Sequence, residues 1–137
     1  MLNRVGLACV FLGLGLAGCK GQTAVATKIP QEEVDRKNPV ESNAASIAEG
    51  KRLYDETDCA LCHGKDGNGK GVLAKDINMN VHDWRQAASL EKFTDGELAY
   101  LVVKGKGRMP AYEKRETSEQ IWHIINYMRS MPTGGAH

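Results

Sequence analysis

Three residues near the middle of the chain have the types and spacing needed to hold a porphyrin covalently. They are Cys59, Cys62 and His63, in the run CALCH. Two thiols separated by two residues can add to the two vinyl groups on one edge of a porphyrin, and the adjacent imidazole can then bind the iron through Nε2. C-x-x-C-H is the attachment signature of c-type haem. The sequence therefore predicts one covalent haem c, attached through Cys59 and Cys62 and ligated by His63.

Other chemistries of a C-x-x-C pair need partners that this sequence does not supply. A thioredoxin-like redox pair needs a strand–helix–strand context, and the sequence has no alternating strand pattern. A zinc site needs a second cysteine pair or a closely spaced histidine pair, and neither follows. A structural disulfide would leave His63 without a role. Export favours the haem interpretation further, because c-type haem is attached outside the cytoplasm.

Residues 1–18 are predicted to be an export signal. Arg4 is the only charged residue before Cys19, and Val5–Gly18 is apolar and rich in glycine. This run is shorter than the roughly 20 residues of a membrane-spanning helix and fits the apolar region of a secretory signal. It ends in LAGC, which resembles the lipobox of bacterial lipoproteins, so Cys19 is predicted to be lipidated. The alternative is an ordinary signal with a chance cysteine, cleaved near Ala17 or Gly18.

The rest of the chain divides into three predicted parts. Residues 19–42 form the lipidated Cys19 with a flexible tether, residues 43–131 form a globular domain, and residues 132–137 form a disordered tail. The tether has no apolar period, and Pro30 and Pro39 interrupt any helix there. A coil over residues 20–42 spans about 26 Å root-mean-square. That reach would hold a small domain beside a membrane.

The composition excludes several classes of protein. The 137 residues include 18 Lys and Arg against 17 Asp and Glu, for a formal net charge of +1. This balance argues against a nucleic-acid-binding protein that depends on a basic surface. Hydrophobic residues make up 42% and charged residues 26%, as in a globular domain rather than a multi-span membrane protein. Aromatic residues make up only 6%, so we expect a bound group to fill part of the interior.

Three amphipathic helices are predicted to position the haem-binding residues, which makes the fold all-α. Their predicted ranges are Ala44–Glu56, Asp95–Lys104 and Ser118–Ser130. Ser42 or Asn43 is the predicted N-cap of the first helix. The other two helices are predicted to begin with capping boxes, formed by Thr94 with Glu97 and by Thr117 with Gln120. Their apolar faces follow helical spacing: Ile47, Gly50, Leu53 and Tyr54; Leu98, Leu101 and Val102; and Ile121, Ile124, Ile125 and Met128.

The globular part resembles a small class I cytochrome c. CALCH is part of the matching stretch from Cys59 to Gly71. The resemblance also rests on GKRLY at residues 50–54, TDGEL at residues 94–98, GKGRMPAY at residues 105–112 and the stretch from Ile121 to Met131. It implies three to four helices packed around one covalent haem. It also implies that Gly50 allows the first helix to cross closely against an aromatic residue of the last helix, for which Trp122 and Tyr127 are both candidates.

On this resemblance, Met109 is the second axial ligand of the iron. It lies in a glycine-rich loop before the last helix, where the family places an axial thioether. A soft thioether favours Fe(II), so a His/Met pair raises the reduction potential relative to two histidines. Met79 and His82 are the alternative ligands, although Met79 lacks the Met-Pro context and a histidine in a polar loop is usually solvated.

Two hydrogen-bonding roles stay open in the sequence. Many relatives place a proline carbonyl against Nδ1 of the haem histidine, but Gly69–Leu73 contains no proline, so the acceptor for His63 is undetermined. Trp84 and Arg85 are candidates for binding the haem propionates. The alternative is that Trp84 belongs to the core and Arg85 to the surface.

The resemblance implies an electron-transfer protein rather than an enzyme, with no small-molecule substrate and no nucleic-acid partner. The alternative is a haem protein with an open distal site, for gas sensing or for a small haem enzyme, which Met109 disfavours. We expect the protein to lie in the periplasm or on the extracytoplasmic face of a bacterial membrane, as a lipid-anchored shuttle or as a subunit of a respiratory complex. Basic residues of the Met109 loop form either a docking surface for an acidic redox partner or a solvated face: Lys104, Lys106, Arg108, Lys114 and Arg115.

Overall fold

The structure, a computed structural model, describes residues 28–133. They form seven helices, which are α1 (Gln31–Val34), α2 (Ala44–Glu56), α3 (Cys59–His63), α4 (Val72–Asp76), α5 (Ala87–Leu90), α6 (Asp95–Lys104) and α7 (Ser118–Ser130), followed by a 3₁₀ turn at Met131–Thr133. Within this range the only β-type pairing is an isolated bridge between Lys106 and Met109. The expected all-α class is confirmed. None of the helices in residues 28–133 has the length and apolar character to cross a membrane.

The three long helices begin and end at the predicted residues. At the start of α2, the Asn43 side chain accepts a hydrogen bond of 3.0 Å from the Ser46 amide, which identifies Asn43 rather than Ser42 as the N-cap. Both predicted capping boxes are formed at α6 and α7. The four other helices were not predicted. Each has only four or five residues, which is too short to carry an apolar period.

Helices α2 and α7 cross closely at Gly50. A Cβ atom at Gly50 would overlap the His123 carbonyl and lie 2.9 Å from the Tyr127 Cβ. The Tyr127 ring also packs edge-to-face against Tyr54, with ring centroids 5.3 Å apart. Beside this contact, Ser46 Oγ and His123 Nδ1 form a hydrogen bond of 2.8 Å. Of the two candidates for the aromatic residue opposite Gly50, the structure therefore selects Tyr127.

The apolar faces of α2, α6 and α7 meet in one core. Its most deeply buried side chains are Tyr54, Ile124, Ile125 and Met128. Leu101, which belongs to the predicted stripe of α6, is only half-buried because it lines the cavity described below. Side chains of α6 and α7 thus belong both to the core and to the wall of that cavity.

The segment of residues 30–40, here called the N-terminal brace, packs against the domain, in contrast to the flexible tether predicted for it. The Thr94 hydroxyl donates a hydrogen bond of 2.7 Å to the Val34 carbonyl. The Glu33 carbonyl lies so close to Gly96 that a Cβ atom would overlap it. The brace therefore covers the first turn of α6.

The brace also contacts α7 through polar side chains. The Arg36 guanidinium lies 5.1 Å from the centroid of the Trp122 ring, and the Asn38 amide donates a hydrogen bond of 2.8 Å to the Asn126 side chain. These contacts fix the backbone although the prolines prevent a long helix. The prediction of a flexible coil was wrong for these residues. Their stabilising partners are distant in sequence, so the segment has no apolar period from which its packing could be predicted.

Several predictions fall on the chain termini. The signal over residues 1–18, Cys19 and the first part of the tether lie outside the described residues, as do residues 134–137. Pro132 and Thr133, which were assigned to a disordered tail, belong instead to the 3₁₀ turn that begins at Met131. The Met131 side chain is buried in the core, which holds this turn in place.

Candidate cofactor site

A cavity of about 400 Å³ is lined by all the residues that the sequence singled out for attaching the haem or ligating its iron. Cys59, Cys62 and His63 line it from α3, and Met109 lines it from the loop after α6. Apolar side chains form much of the remaining wall, namely Leu98, Leu101, Val102, Phe93, Pro110 and Met128. The volume falls within the range of about 300–1,000 Å³ that is usual for cofactor sites.

Helix α3 places the two cysteines on the same side. Asp58 precedes the helix in the left-handed conformation, with φ of 67°, and Gly64 ends it with φ of 80°. Residues three apart lie on one face of a helical turn, so Cys59 and Cys62 both reach the cavity. Neither is disulfide-bonded, and both are half-buried. Burial raises the pKa of the Cys59 thiol. The pair fits the attachment of one porphyrin edge.

The His63 imidazole is held between the cavity and Trp84. The two rings are stacked, with centroids 4.0 Å apart and an angle of 18° between their planes. Burial lowers the pKa of His63 to about 4, so the ring is neutral near pH 7 and keeps a lone pair for a metal. Nδ1 is buried and has no hydrogen-bond partner among residues 28–133. An orphaned polar atom of this kind is unusual in a packed protein, and the acceptor that the sequence left undetermined for His63 Nδ1 is not found among the described residues.

Met109 is presented by a tight turn. The Lys106 amide donates to the Met109 carbonyl (3.1 Å), and the Met109 amide donates to the Lys106 carbonyl (3.0 Å). Gly107, the first of the two residues between them, has φ of 61°, which favours glycine. Gly105 also has a positive φ, and a Cβ atom there would lie 2.9 Å from the Ala111 nitrogen. The turn and the close chain crossing together fix the position of Met109.

The two alternative ligands reach the same cavity. Met79 and His82 both line it, from the segment between α4 and α5. Met79 is half-buried, whereas His82 is exposed and packs edge-on against Phe93 with ring centroids 6.5 Å apart. Proximity to the cavity therefore does not by itself distinguish Met109 from these residues.

The two propionate candidates differ in position. Trp84 is 9% exposed and lines the cavity. Arg85 is exposed and forms ion pairs with Asp83 (2.8 Å) and Asp66 (3.4 Å), away from the cavity lining. Sequence reasoning had also given no role to Tyr112, a buried residue of the cavity wall, although it belongs to the quoted run GKGRMPAY.

The basic residues around the Met109 loop form two groups. Lys104 pairs with Glu113 at 2.6 Å, and Arg115 pairs with Asp58 at 3.7 Å. Lys106, Arg108 and Lys114 are exposed and make no ion pair with any described carboxylate. Lys106 and Arg108 lie at the cavity itself. Two of the three unpaired positive charges of this loop therefore lie beside the cavity.

Known proteins resemble most of this domain. The family described as cytochrome c oxidase, cbb3-type, subunit III matches residues 45–128. Cytochrome c6 of Chlorolobion braunii is 30% identical over 95 residues, which cover 66% of this chain and 96% of that protein. The cbb3-type cytochrome c oxidase subunit CcoP of Azospirillum sp. (strain B510) is 32% identical over 95 residues, which cover 68% of this chain but only 31% of that subunit.

A solved structure shows the same fold. A chain of the reducing HAO-like protein complex of Kuenenia stuttgartiensis superposes with a TM-score of 0.57 and 24% sequence identity. The match covers 68% of this chain and 46% of that chain. At this identity the likeness supports the fold alone.

Proposed function

Because the chain belongs to the class I c-type cytochromes, which are electron-transfer proteins with a covalent haem c, we propose that it carries single electrons between redox proteins at a membrane surface. The observation that carries the proposal is the convergence of Cys59, Cys62, His63 and Met109 on one cavity. When bound, the haem supplies the one-electron iron couple. The chain supplies attachment, axial ligands and an apolar enclosure.

In the proposed site, Cys59 and Cys62 would hold the haem through two thioethers, and His63 and Met109 would ligate its iron. The shared face of α3 supports the first assignment. The neutral, stacked imidazole supports the role of His63. Met109 is preferred over His82 because it is half-buried in a turn fixed by reciprocal hydrogen bonds, whereas His82 is exposed. A pre-positioned ligand loses less conformational entropy on binding.

The axial assignment is tested by the charge-transfer band that His/Met ligation gives in the far red in the ferric state. Met109→Ala should abolish this band and allow the ferrous protein to bind carbon monoxide. Met79→Ala and His82→Ala serve as matched controls from the same cavity and should keep the band. A band that survives in Met109→Ala would contradict the assignment. Carbon monoxide binding by the wild-type ferrous protein would instead support the alternative function with an open distal site.

We place the protein outside the cytoplasm, with Cys19 as its lipidated anchor. The export signal and the LAGC run support this assignment. Because the brace begins at Pro30, only residues 20–29 separate the anchor from the folded domain. The brace contacts α6 and α7 through Thr94, Gly96, Trp122 and Asn126, and none of these residues lines the cavity. The brace therefore covers a part of the domain that lies apart from the cavity lining.

We propose that Lys106, Arg108 and Lys114 dock an acidic surface of the redox partner. Their charges are not neutralised by neighbouring carboxylates, unlike those of Lys104 and Arg115. Charge of one sign beside a binding site raises the association rate of an oppositely charged partner. The partner is either a freely diffusing protein or a membrane respiratory complex in which this chain is the cytochrome subunit.

A further inference from the structure

One hydrogen bond connects the loop that carries Met109 with the turn that carries Cys59. The Tyr112 hydroxyl donates a bond of 3.0 Å to the Thr57 carbonyl, and the two residues are 55 positions apart in the chain. Tyr112 lies three residues after Met109, and Thr57 lies two residues before Cys59. The Thr57 hydroxyl in turn lies 3.3 Å from Cys59 Sγ. Two separate segments of the cavity wall are thus joined at one point.

Arg115 adds a second contact between the same two segments. Its guanidinium lies 3.7 Å from the Asp58 carboxylate and 5.1 Å from the centroid of the Tyr112 ring. Asp58 is the left-handed residue from which α3 begins. Because this ion pair is exposed, it stabilises the connection less than the buried Tyr112 bond does.

Tyr112 is also fixed at its backbone. Its amide donates to the Val102 carbonyl at 3.1 Å near the end of α6, and its carbonyl accepts from the Arg115 and Glu116 amides at 2.9 and 3.0 Å. The side chain is 4% exposed. Because its backbone is hydrogen-bonded to α6 and its hydroxyl to Thr57, Tyr112 fixes the position of the chain that follows Met109.

We infer that Tyr112 is a positioning residue for Met109, because its hydroxyl couples the loop of the axial ligand to the turn of the first thioether. This inference rests on the proposed ligation by Met109. Release of Met109 from the iron would require the loop to move, and this movement would break the Tyr112–Thr57 hydrogen bond. The bond therefore lowers the population of the open loop.

The test uses the ferric holoprotein and imidazole as a ligand that competes with Met109. Tyr112→Phe keeps the ring and removes only the hydroxyl. Tyr127→Phe is the matched control, because Tyr127 is also 4% exposed and donates one hydrogen bond, of 3.2 Å, to the Lys65 carbonyl, but does not line the cavity. We expect imidazole to bind Tyr112→Phe about 2- to 10-fold more tightly than wild type and to bind Tyr127→Phe with unchanged affinity.

Equal imidazole affinity in the two variants would overturn the inference, whether or not both lose global stability. A wild-type ferric protein without the His/Met charge-transfer band would overturn the ligation by Met109, and this inference with it. A wild type that has the band, with no difference between the variants, would overturn the coupling alone.

A second measurement needs no substitution. In the wild-type protein saturated with imidazole, hydrogen exchange should accelerate at amides of residues 57–61 as well as in the Met109 loop. Exchange that accelerates only within residues 106–116 would show that the two segments open independently, and would overturn the coupling.

Discussion

The imidazole of His63 lies flat against the indole of Trp84, with ring centroids 4.0 Å apart. The Trp84 amide donates a hydrogen bond of 2.8 Å to the Gly67 carbonyl, which ties the tryptophan to the loop that follows α3. Gly67 in turn has φ of 72°, and the Met131 side chain lies directly against it. Trp84 is therefore held against His63 in the wall of the cavity, where we expect it to limit the access of water.

Trp84→Ala should lower both the free energy of unfolding and the reduction potential. Loss of a buried tryptophan costs about 3–5 kcal/mol, and water near the iron stabilises the more highly charged Fe(III) state. Urea unfolding and potentiometric titration measure the two effects. Trp122→Ala is the control, because Trp122 is 2% exposed but does not line the cavity. It should lose comparable stability at an unchanged potential. Equal potentials in the two variants would contradict the role of Trp84.

Gly50→Ala should lower the free energy of unfolding by about 3 kcal/mol, at the upper end of the usual cost of overpacking. The added methyl group would overlap the His123 carbonyl, which is backbone and moves only with α7. Ala48→Gly, on the exposed face of the same helix, is the control and should cost about 1 kcal/mol through helix propensity. Urea unfolding, monitored by circular dichroism, measures the loss of stability in both variants. Equal losses would contradict the prediction.

The sequence predicted the long helices to the residue because it encodes both their ends and their buried faces. Thr94 and Glu97, for example, mark the start of α6 through a local hydrogen-bonding pattern. The brace could not be predicted in this way. Asn38 and Asn126 are 88 positions apart, so their contact has no local signature.

The residues of the candidate site also divide into those that the local sequence predicted and those whose positions depend on tertiary contacts. The residue types and spacing of CALCH predicted which side chains would face the cofactor. The ring that packs on His63 and the hydroxyl that ties down the Met109 loop depend on tertiary contacts. Trp84 and Tyr112 therefore could be assigned their positions only from the folded chain.

Haem should remain with the wild-type chain in denaturing acid–acetone, because both thioethers are covalent. Cys59→Ala/Cys62→Ala should lose the haem and with it most helical circular dichroism. Burial of several hundred Å² of porphyrin contributes several kcal/mol at about 25 cal/mol per Å², which is a large part of the stability of a small domain. Haem extracted from the wild type, or a well-folded double variant, would contradict this prediction.

Wild-type protein should stay in the membrane fraction through a high-salt wash, because the two or three acyl chains of a lipoprotein cysteine hold far more strongly than one chain. Cys19→Ser should block processing or release a soluble cytochrome with a normal spectrum. Haem absorbance in the two fractions measures the distribution. Wild-type protein that leaves the membrane in salt would refute the lipid anchor. Salt-resistant attachment of a processed Cys19→Ser protein would indicate a membrane partner instead.

Lys106→Gln/Arg108→Gln should slow electron exchange with an anionic reagent such as hexacyanoferrate at low ionic strength, by several-fold. The difference should shrink at high salt, where charges separated by about a Debye length are screened. Lys104→Gln is the control, because Glu113 already pairs with Lys104, and its effect on the rate should be smaller. Stopped-flow rates over a salt series provide the measurement. A salt-independent difference would point away from electrostatic docking.

The crossing of α2 and α7 also bears on the order in which the chain matures. Ser46 and His123, which form a hydrogen bond beside the crossing, are 77 positions apart. Closing a loop of this length costs about 4 kcal/mol of chain entropy, so the crossing forms only when contacts between the two helices offset that cost. CALCH lies inside this loop. Until the two helices meet, the thiols of Cys59 and Cys62 remain accessible, so haem attachment can precede the closure of the chain around the porphyrin.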